Sequence, residues 1–232
     1  MQTVTFGTKN SYSDFGLILT NKEIGFPEPK LEQINLAGMD GVLDLSESLT
    51  DDIKFETRIL TFTFAVIDPI LRWSGVVSEV ANYLHGKKIR INMDFDSGYY
   101  YVGRCKINSF KSEKRIGELV IECECDPYKN EVNATGEYWI WDTFSFVNGF
   151  IRTNEIEFTT TKTVNLQNLR KVVSPTFICS KAMTVSFNGK TYNLSSGSNT
   201  IYDIRLQEGT NYVTFNCSGT GKVKIEYQGG GL

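Results

Sequence analysis

This chain of 232 residues is poor in the groups that most enzymes and metal proteins use. It has one histidine, His85. A single imidazole rules out a histidine-rich metal cluster and leaves one choice of base for any serine or cysteine nucleophile. Its five cysteines are an odd number and contain no C-x-x-C pair. Cys105, Cys123, Cys125, Cys179 and Cys217 all fall in strand-like runs and read as buried free thiols, with Cys123 and Cys125 on one side of one strand. No phosphate-binding glycine loop and no G-x-G-x-x-G occurs. No run approaches the roughly 20 apolar residues of a membrane helix. The first residues, MQTVTFGTKN, lack the apolar stretch of a signal peptide, so the expectation is folding in a reducing cytoplasm. Basic residues are not in excess: net charge is −3 and the pI about 5.4. That composition argues against general nucleic-acid binding. Carboxylate pairs such as Asp51/Asp52 and Asp94/Asp96 read as solvated faces, and three N-x-S/T triplets, at Asn133, Asn193 and Asn216, read as chance.

What is present is strand pattern. Apolar residues make up 41% and aromatic residues 12%, enough for a sizeable core. One helix stands out. Trp73, Val76, Val77, Val80, Ala81 and Leu84 form a 3.6-residue stripe, with Ser74 as N-cap and Gly86 as C-terminal stop. It predicts a helix over about 74–85. His85 at its end suits the helix dipole as a capping or surface residue. Period two follows, with Ile89, Ile91, Met93 and Phe95 alternating with polar residues. Asp96-Ser97-Gly98 is the turn, and a return strand begins at Tyr99. Leu60, Phe62, Phe64 and Val66 predict another strand face, as do Leu119, Ile121, Cys123 and Cys125. The polar stretch 130–136 marks a boundary, giving domains 1–132 and 137–232.

After the boundary come Trp139 and Trp141 and then short strands separated by turn signals, among them Ser174-Pro175, Ser196-Gly197, Glu208-Gly209 and Ser218-Gly219. Asn188-Gly189 is a strong hairpin signal because both residues accept positive φ. The expected fold is mainly β: an N-terminal sandwich or barrel-like domain with one helix and a hairpin, then an antiparallel β-sandwich of galectin-like or jelly-roll type.

Two surface stretches stand apart. Pro27-Glu28-Pro29-Lys30 cannot be helical and reads as an arm or edge connection. Between Asp40 and Glu56 six acids face one base, Lys54. Trp139 and Trp141 share a strand face, which makes them core residues or a sugar-stacking platform.

Taken in order, Asn10-Ser11-Tyr12-Ser13-Asp14-Phe15-Gly16-Leu17, Pro27-Glu28-Pro29-Lys30, Gly38-Met39-Asp40-Gly41-Val42-Leu43-Asp44-Leu45, Arg58-Ile59-Leu60-Thr61-Phe62, Leu84-His85-Gly86, Tyr99-Tyr100-Tyr101-Val102-Gly103-Arg104, Cys125-Asp126-Pro127-Tyr128-Lys129, Val173-Ser174-Pro175, Phe187-Asn188-Gly189-Lys190 and the Lys222 to Tyr227 strand resemble the distal tail protein family (Dit) of long-tailed phages. The resemblance covers nearly the whole chain. It implies a structural, non-enzymatic hub without cofactors. Such proteins form a hexameric ring at the virion tail tip, made in the bacterial host cytoplasm, between the tail tube and the tail-associated fibre or lysin protein, with receptor-binding proteins as further partners. The first domain would close the ring, with Pro27, Glu28, Pro29 and Lys30 as contacts. Asp44, Glu47, Asp51 and Asp52 would face a lumen through which DNA passes unbound. A carbohydrate-binding module using Trp139 or Trp141, or a hub piece of a contractile particle, are the alternatives.

Overall fold

The computed structural model describes residues 1–48, 52–67, 73–113, 116–132 and 155–232. It divides into two compact units, one made of Met1–Asp96, Tyr100–Pro127 and Leu232, the other of Ser97–Tyr99 and Tyr128–Gly231.

In chain order the first unit contains β1 (Val4–Phe6), β2 (Lys9–Asn10), β3 (Leu17–Ile24), β4 (Gln33–Ile34), β5 (Leu43–Asp44), β6 (Arg58–Ile67), α1 (Trp73–Leu84), β7 (Lys88–Met93), a short 3-10 turn (Asp94–Asp96), β8 (Tyr99–Glu113) and β9 (Ile116–Cys125). The sheet runs β2-β1-β7-β8-β9-β6-β3, with each neighbour antiparallel. The expected alternation on β6 holds: Leu60, Phe62 and Phe64 are fully buried and Val66 nearly so. Phe6 meets Phe62 edge-on at 5.9 Å, a favourable aromatic geometry. Leu119, Ile121, Cys123 and Cys125 line the same core from β9.

The helical stripe is also as expected. Val80 and Leu84 are buried, and Val76 and Val77 pack half-buried against the same cluster. Tyr83 ties the helix to β1: its hydroxyl donates to the Phe6 carbonyl at 2.8 Å and accepts the Thr8 amide at 3.0 Å. Gly86 takes a φ of +79°, the left-handed stop that glycine adopts without a side-chain clash. Because α1 begins at Trp73, Ser74 stands inside the first turn rather than at the cap.

Two details of this unit differ from expectation. β7 ends at Met93, before Phe95, because the Asp94 carboxylate accepts the Thr3 amide at 2.6 Å and its hydroxyl at 3.2 Å. That contact pulls the backbone into the 3-10 turn, and Phe95 ends under the Lys22 ammonium, 3.2 Å from its ring centre. The return strand β8 is also longer than its apolar pattern suggested and reaches Glu113.

The second unit holds β10 (Lys129–Glu131), β11 (Glu155–Asn168), β12 (Thr176–Cys179), β13 (Met183–Phe187), β14 (Lys190–Leu194), β15 (Gly197–Thr200), β16 (Gly209–Glu226) and β17 (Gly230–Gly231). β14-β13-β16-β12-β15 form one antiparallel sheet, and β11 lies along β16. Phe177, Val185, Val213, Phe215 and Val223 are fully buried on its inner face, together with Ile204 and Leu206 from the loop between β15 and β16. The Asn188-Gly189 hairpin is present, with φ of 46° and 78°. Ser218-Gly219, by contrast, does not separate two strands. It is a bulge inside the 18-residue β16. Register jumps from Thr159↔Thr220 to Thr161↔Asn216, and β11 pairs with the segments on both sides.

Candidate functional site

Between β3 and β6 the chain leaves the sheet of the first unit and returns, and the described residues of this excursion, 25–48 and 52–57, carry most of the exposed large hydrophobics found among the described residues. Its root is narrow. Gly25 donates to the Ile59 carbonyl at 2.9 Å, so close that a Cβ on Gly25 would sit 2.7 Å from that oxygen. Arg58 locks the root. It is only 2% exposed; its Nε donates to the Gly25 carbonyl at 2.8 Å and Nη1 to the Pro127 carbonyl at 3.3 Å. The guanidinium also lies over Tyr101 at 5.1 Å and Phe26 at 5.5 Å. A buried cation needs such partners, because desolvation alone would cost several kcal/mol.

The predicted arm residues lie just beyond. Pro27 is buried, and Glu28, Pro29 and Lys30 are exposed. They run antiparallel to residues 54–56, with the Glu56 amide donating to Glu28 at 2.8 Å and the Lys30 amide to Lys54 at 2.7 Å. The extended backbone that two prolines impose is what makes this pairing available. Farther out, β4 pairs with β5: Gln33 opposite Asp44 and Ile34 opposite Leu43. Side chains on a strand alternate, so Ile34, Leu43 and Leu45 share one face while Gln33 and Asp44 share the other.

Every residue from Glu28 to Leu45 is exposed. Phe26, Leu31, Ile34, Leu36, Met39, Val42, Leu43 and Leu45 account for eight of the thirteen large hydrophobics found exposed among the described residues, with Phe26 at 78%. An isolated two-stranded hairpin is marginal in water, and a cluster of uncovered apolar side chains marks an association surface. Sequence pattern alone read Val42, Leu43 and Leu45 only as the way out of a turn cluster at Ala37 to Gly41. The alternation of Leu43 and Leu45 around Asp44, next to short turn-rich segments, was the only sign of an amphipathic hairpin.

Of the four acids singled out, Asp44 and Glu47 are exposed on this excursion. The Ser46 hydroxyl and amide both donate to Asp44 and hold its carboxyl below the usual range, so it stays charged to lower pH. Asp52 is buried, 3.3 Å from Lys54 Nζ. Asp51, Trp139 and Trp141 lie outside the described residues. His85 is exposed and does not face a nucleophile: its Nδ1 accepts the Ile107 amide at 3.0 Å, at the β8 bulge. No three His, Cys, Asp or Glu side chains among the described residues are grouped to hold a metal ion.

The sequence matches no protein-family model and no curated protein. The fold does have a solved counterpart. The chain superimposes on the crystal structure of the SPP1 Dit (gp 19.1) protein, described as a paradigm of the hub adsorption apparatus in phages that infect Gram-positive bacteria, with a TM-score of 0.63. Identity is 13%, yet the match covers 98% of this chain and 99% of that one. The resemblance to the Dit family read from scattered sequence segments therefore extends to the fold of the entire chain.

Proposed function

We propose that this protein is a distal tail hub component of a long-tailed phage and that it works by self-association. The observation that carries this reading is the exposed amphipathic arm, Glu28 to Leu45, on a chain whose fold follows a phage hub protein over 98% of its length. In the proposed assembly six copies close a ring at the tail tip. The first unit builds the ring, and the second is directed outward. The arm of each copy lays its apolar face, Ile34, Leu43 and Leu45 with Leu36 and Met39 at the tip, against the neighbouring copy. Pro27 to Lys30 sets its direction. A stable contact of this type buries roughly 800 Å² per partner, which eight large side chains and their backbone can approach.

The ring sits between the tail tube and the tail-associated lysin or fibre protein, with receptor-binding proteins outside. DNA passes through it without binding. The polar face of the arm, with Asp44 and Glu47, lines this path, because fixed negative charge keeps phosphates from adhering. The protein is made in the bacterial cytoplasm and ends in the virion, and it catalyses nothing.

Multi-angle light scattering and negative-stain imaging of the purified chain test the reading. A six-membered ring is expected. Leu36→Ser, Met39→Ser and Leu43→Ser together should give folded monomers that still melt cooperatively, at a temperature below that of the assembled ring, because these side chains are exposed in the single chain and only association is lost. A wild-type chain that stays monomeric at high concentration, alone and with its tail-tube protein, would overturn the proposal.

A further inference from the structure

The five free thiols are spread unevenly over the fold. Cys179 and Cys217 belong to the second unit. Cys179 stands opposite Val223 and Gly197, and Cys217 lies at the start of the β16 bulge. Cys105, Cys123 and Cys125 are fully buried in the core of the first unit. There Cys105 on β8 is the register partner of Cys123 on β9. The Cys105 amide donates to the Lys87 carbonyl at 3.0 Å, and the Cys105 carbonyl accepts the Gly86 amide at 2.7 Å. Both backbone groups therefore point away from β9. In an antiparallel ladder this makes Cys105 and Cys123 a non-hydrogen-bonded pair, the kind whose Cα atoms lie about 4.5 Å apart with side chains close together. A disulfide spans Cα atoms about 4.4–6.8 Å apart, so the backbone already has the separation a bridge requires.

The side chains agree with the backbone. The Cys123 thiol donates to the Cys105 sulfur, so the two sulfurs face each other across the strands. Cys125 is close by but aimed elsewhere. It stands opposite Gly103, and a Cβ on Gly103 would collide with the Cys125 sulfur. The sulfur thus occupies the space that glycine leaves open, and it donates to the Cys123 carbonyl at 3.6 Å. Of the three thiols in this core, register and direction select one couple.

We propose that Cys105 and Cys123 are an oxidation site, at which a small neutral peroxide converts the facing thiols into a reversible cross-strand disulfide. The Cys105 thiol gives its proton to water, and the thiolate attacks one oxygen of the peroxide. The O–O bond breaks, the departing hydroxide takes up a proton as water, and Cys105 is left as a sulfenic acid. The Cys123 sulfur then attacks the Cys105 sulfur. The S–O bond breaks, and the departing oxygen leaves as a second water with the Cys123 proton. Two thiols are oxidised and one hydrogen peroxide is reduced to two waters. Burial favours an oxidant of about the size of water over a bulky charged disulfide, because brief local openings of the sheet admit only the former. The bond joins residues 18 apart in the chain and staples the two central strands β8 and β9 of the first unit's sheet. Since the Cys105 carbonyl also holds Gly86, the staple fixes the strand on which helix α1 ends. A chain that folds with reduced thiols would gain this bond on meeting an oxidant. One chain supplies both sulfurs, so the site does not depend on ring assembly.

The test treats the full-length protein, reduced and then freed of reductant, with hydrogen peroxide well below its melting temperature. Peptides are then mapped by mass spectrometry without reductant. The expected product is a peptide pair joined through Cys105 and Cys123, lighter than the reduced pair by two hydrogens. The melting temperature should rise by several degrees, because closing the loop restricts the unfolded chain, and dithiothreitol should reverse both changes. Cys125→Ser and Cys217→Ser should form the same link with the same shift. Cys123→Ser should lose both; if it folds poorly, the map of Cys125→Ser still decides which sulfur is joined. No Cys105–Cys123 link after an exposure that oxidises Cys217 completely would overturn the proposal. So would a link through Cys125 in place of Cys123, a link found only between chains or only in urea, or a link that leaves the melting temperature unchanged.

Discussion

Arg58 shows how much one side chain can carry. It is the largest fully buried side chain among the described residues, and it holds both ends of the arm's root through the Gly25 carbonyl and the Tyr101 and Phe26 rings. Arg58→Ala removes two charge-assisted hydrogen bonds and leaves a cavity. We expect a loss of about 3 kcal/mol, or a melting temperature lower by roughly 10 °C. Arg58→Met, which refills the volume without a buried charge, should lose less. The cysteines give a second prediction at this scale. Burial, reinforced by the nearby Cys105, pushes the Cys125 thiol up to about 12. The Cys123 thiol is raised by its hydrogen bond to Cys105 at 2.7 Å and by burial. At pH 8 only about one Cys125 in ten thousand is then thiolate. Half-buried Cys217 should therefore react first with Ellman's reagent, and Cys123 and Cys125 only after unfolding. Labelling followed by peptide mapping checks this.

At the scale of the element, β4 and β5 illustrate a hairpin held by polar groups rather than by a core. Asp44 is the centre of its turn, receiving the Ser46 amide at 2.9 Å and the Ser46 hydroxyl at 2.5 Å. Its folded-state pKa lies below the ordinary 3.8. The contribution of this contact is thus complete above about pH 3.8 and is lost as pH falls through the lowered value. An NMR titration should place the Asp44 midpoint below 3.8, and Ser46→Ala should move it upward; a midpoint at or above 3.8 in the wild type would contradict the geometry. Helix α1 and strand β6 are elements of the opposite kind. Their apolar periods, at Val76, Val77, Val80 and Leu84 and at Leu60, Phe62, Phe64 and Val66, face a core, so pattern and structure agree. β4 and β5 carry apolar residues that face no core among the described residues. A periodicity argument cannot tell those two cases apart, because it registers which side chains are apolar and not what covers them.

For the whole molecule, two separate sets of buried residues, one containing Phe62 and the other Phe215, predict two folding units. Calorimetry should resolve two transitions, or a calorimetric enthalpy above the van't Hoff value. Phe62→Ala should lower one transition and Phe215→Ala the other, each by about 3–5 kcal/mol. A single two-state transition that both variants shift equally would rule this out. Local signals were sufficient for much of the architecture. Asn188-Gly189 dictated its hairpin, Gly86 its helix stop, and the alternating strands their buried faces, since each depends on interactions a few residues apart. Other features come from contacts distant in sequence. Ser218-Gly219 became a bulge because β11, about 60 residues earlier, pairs with β16 on both sides of it. Arg58 became a buried clamp because Gly25 and Tyr101 converge on it. Asp52 was turned inward beside Lys54. The amino-acid order alone determined helix α1 and the apolar faces of β6 and β9, because steric preference and side-chain period act locally. Only the folded chain decided which apolar faces remain uncovered and which cysteines face each other across β8 and β9, because both follow from register between segments that meet only on folding.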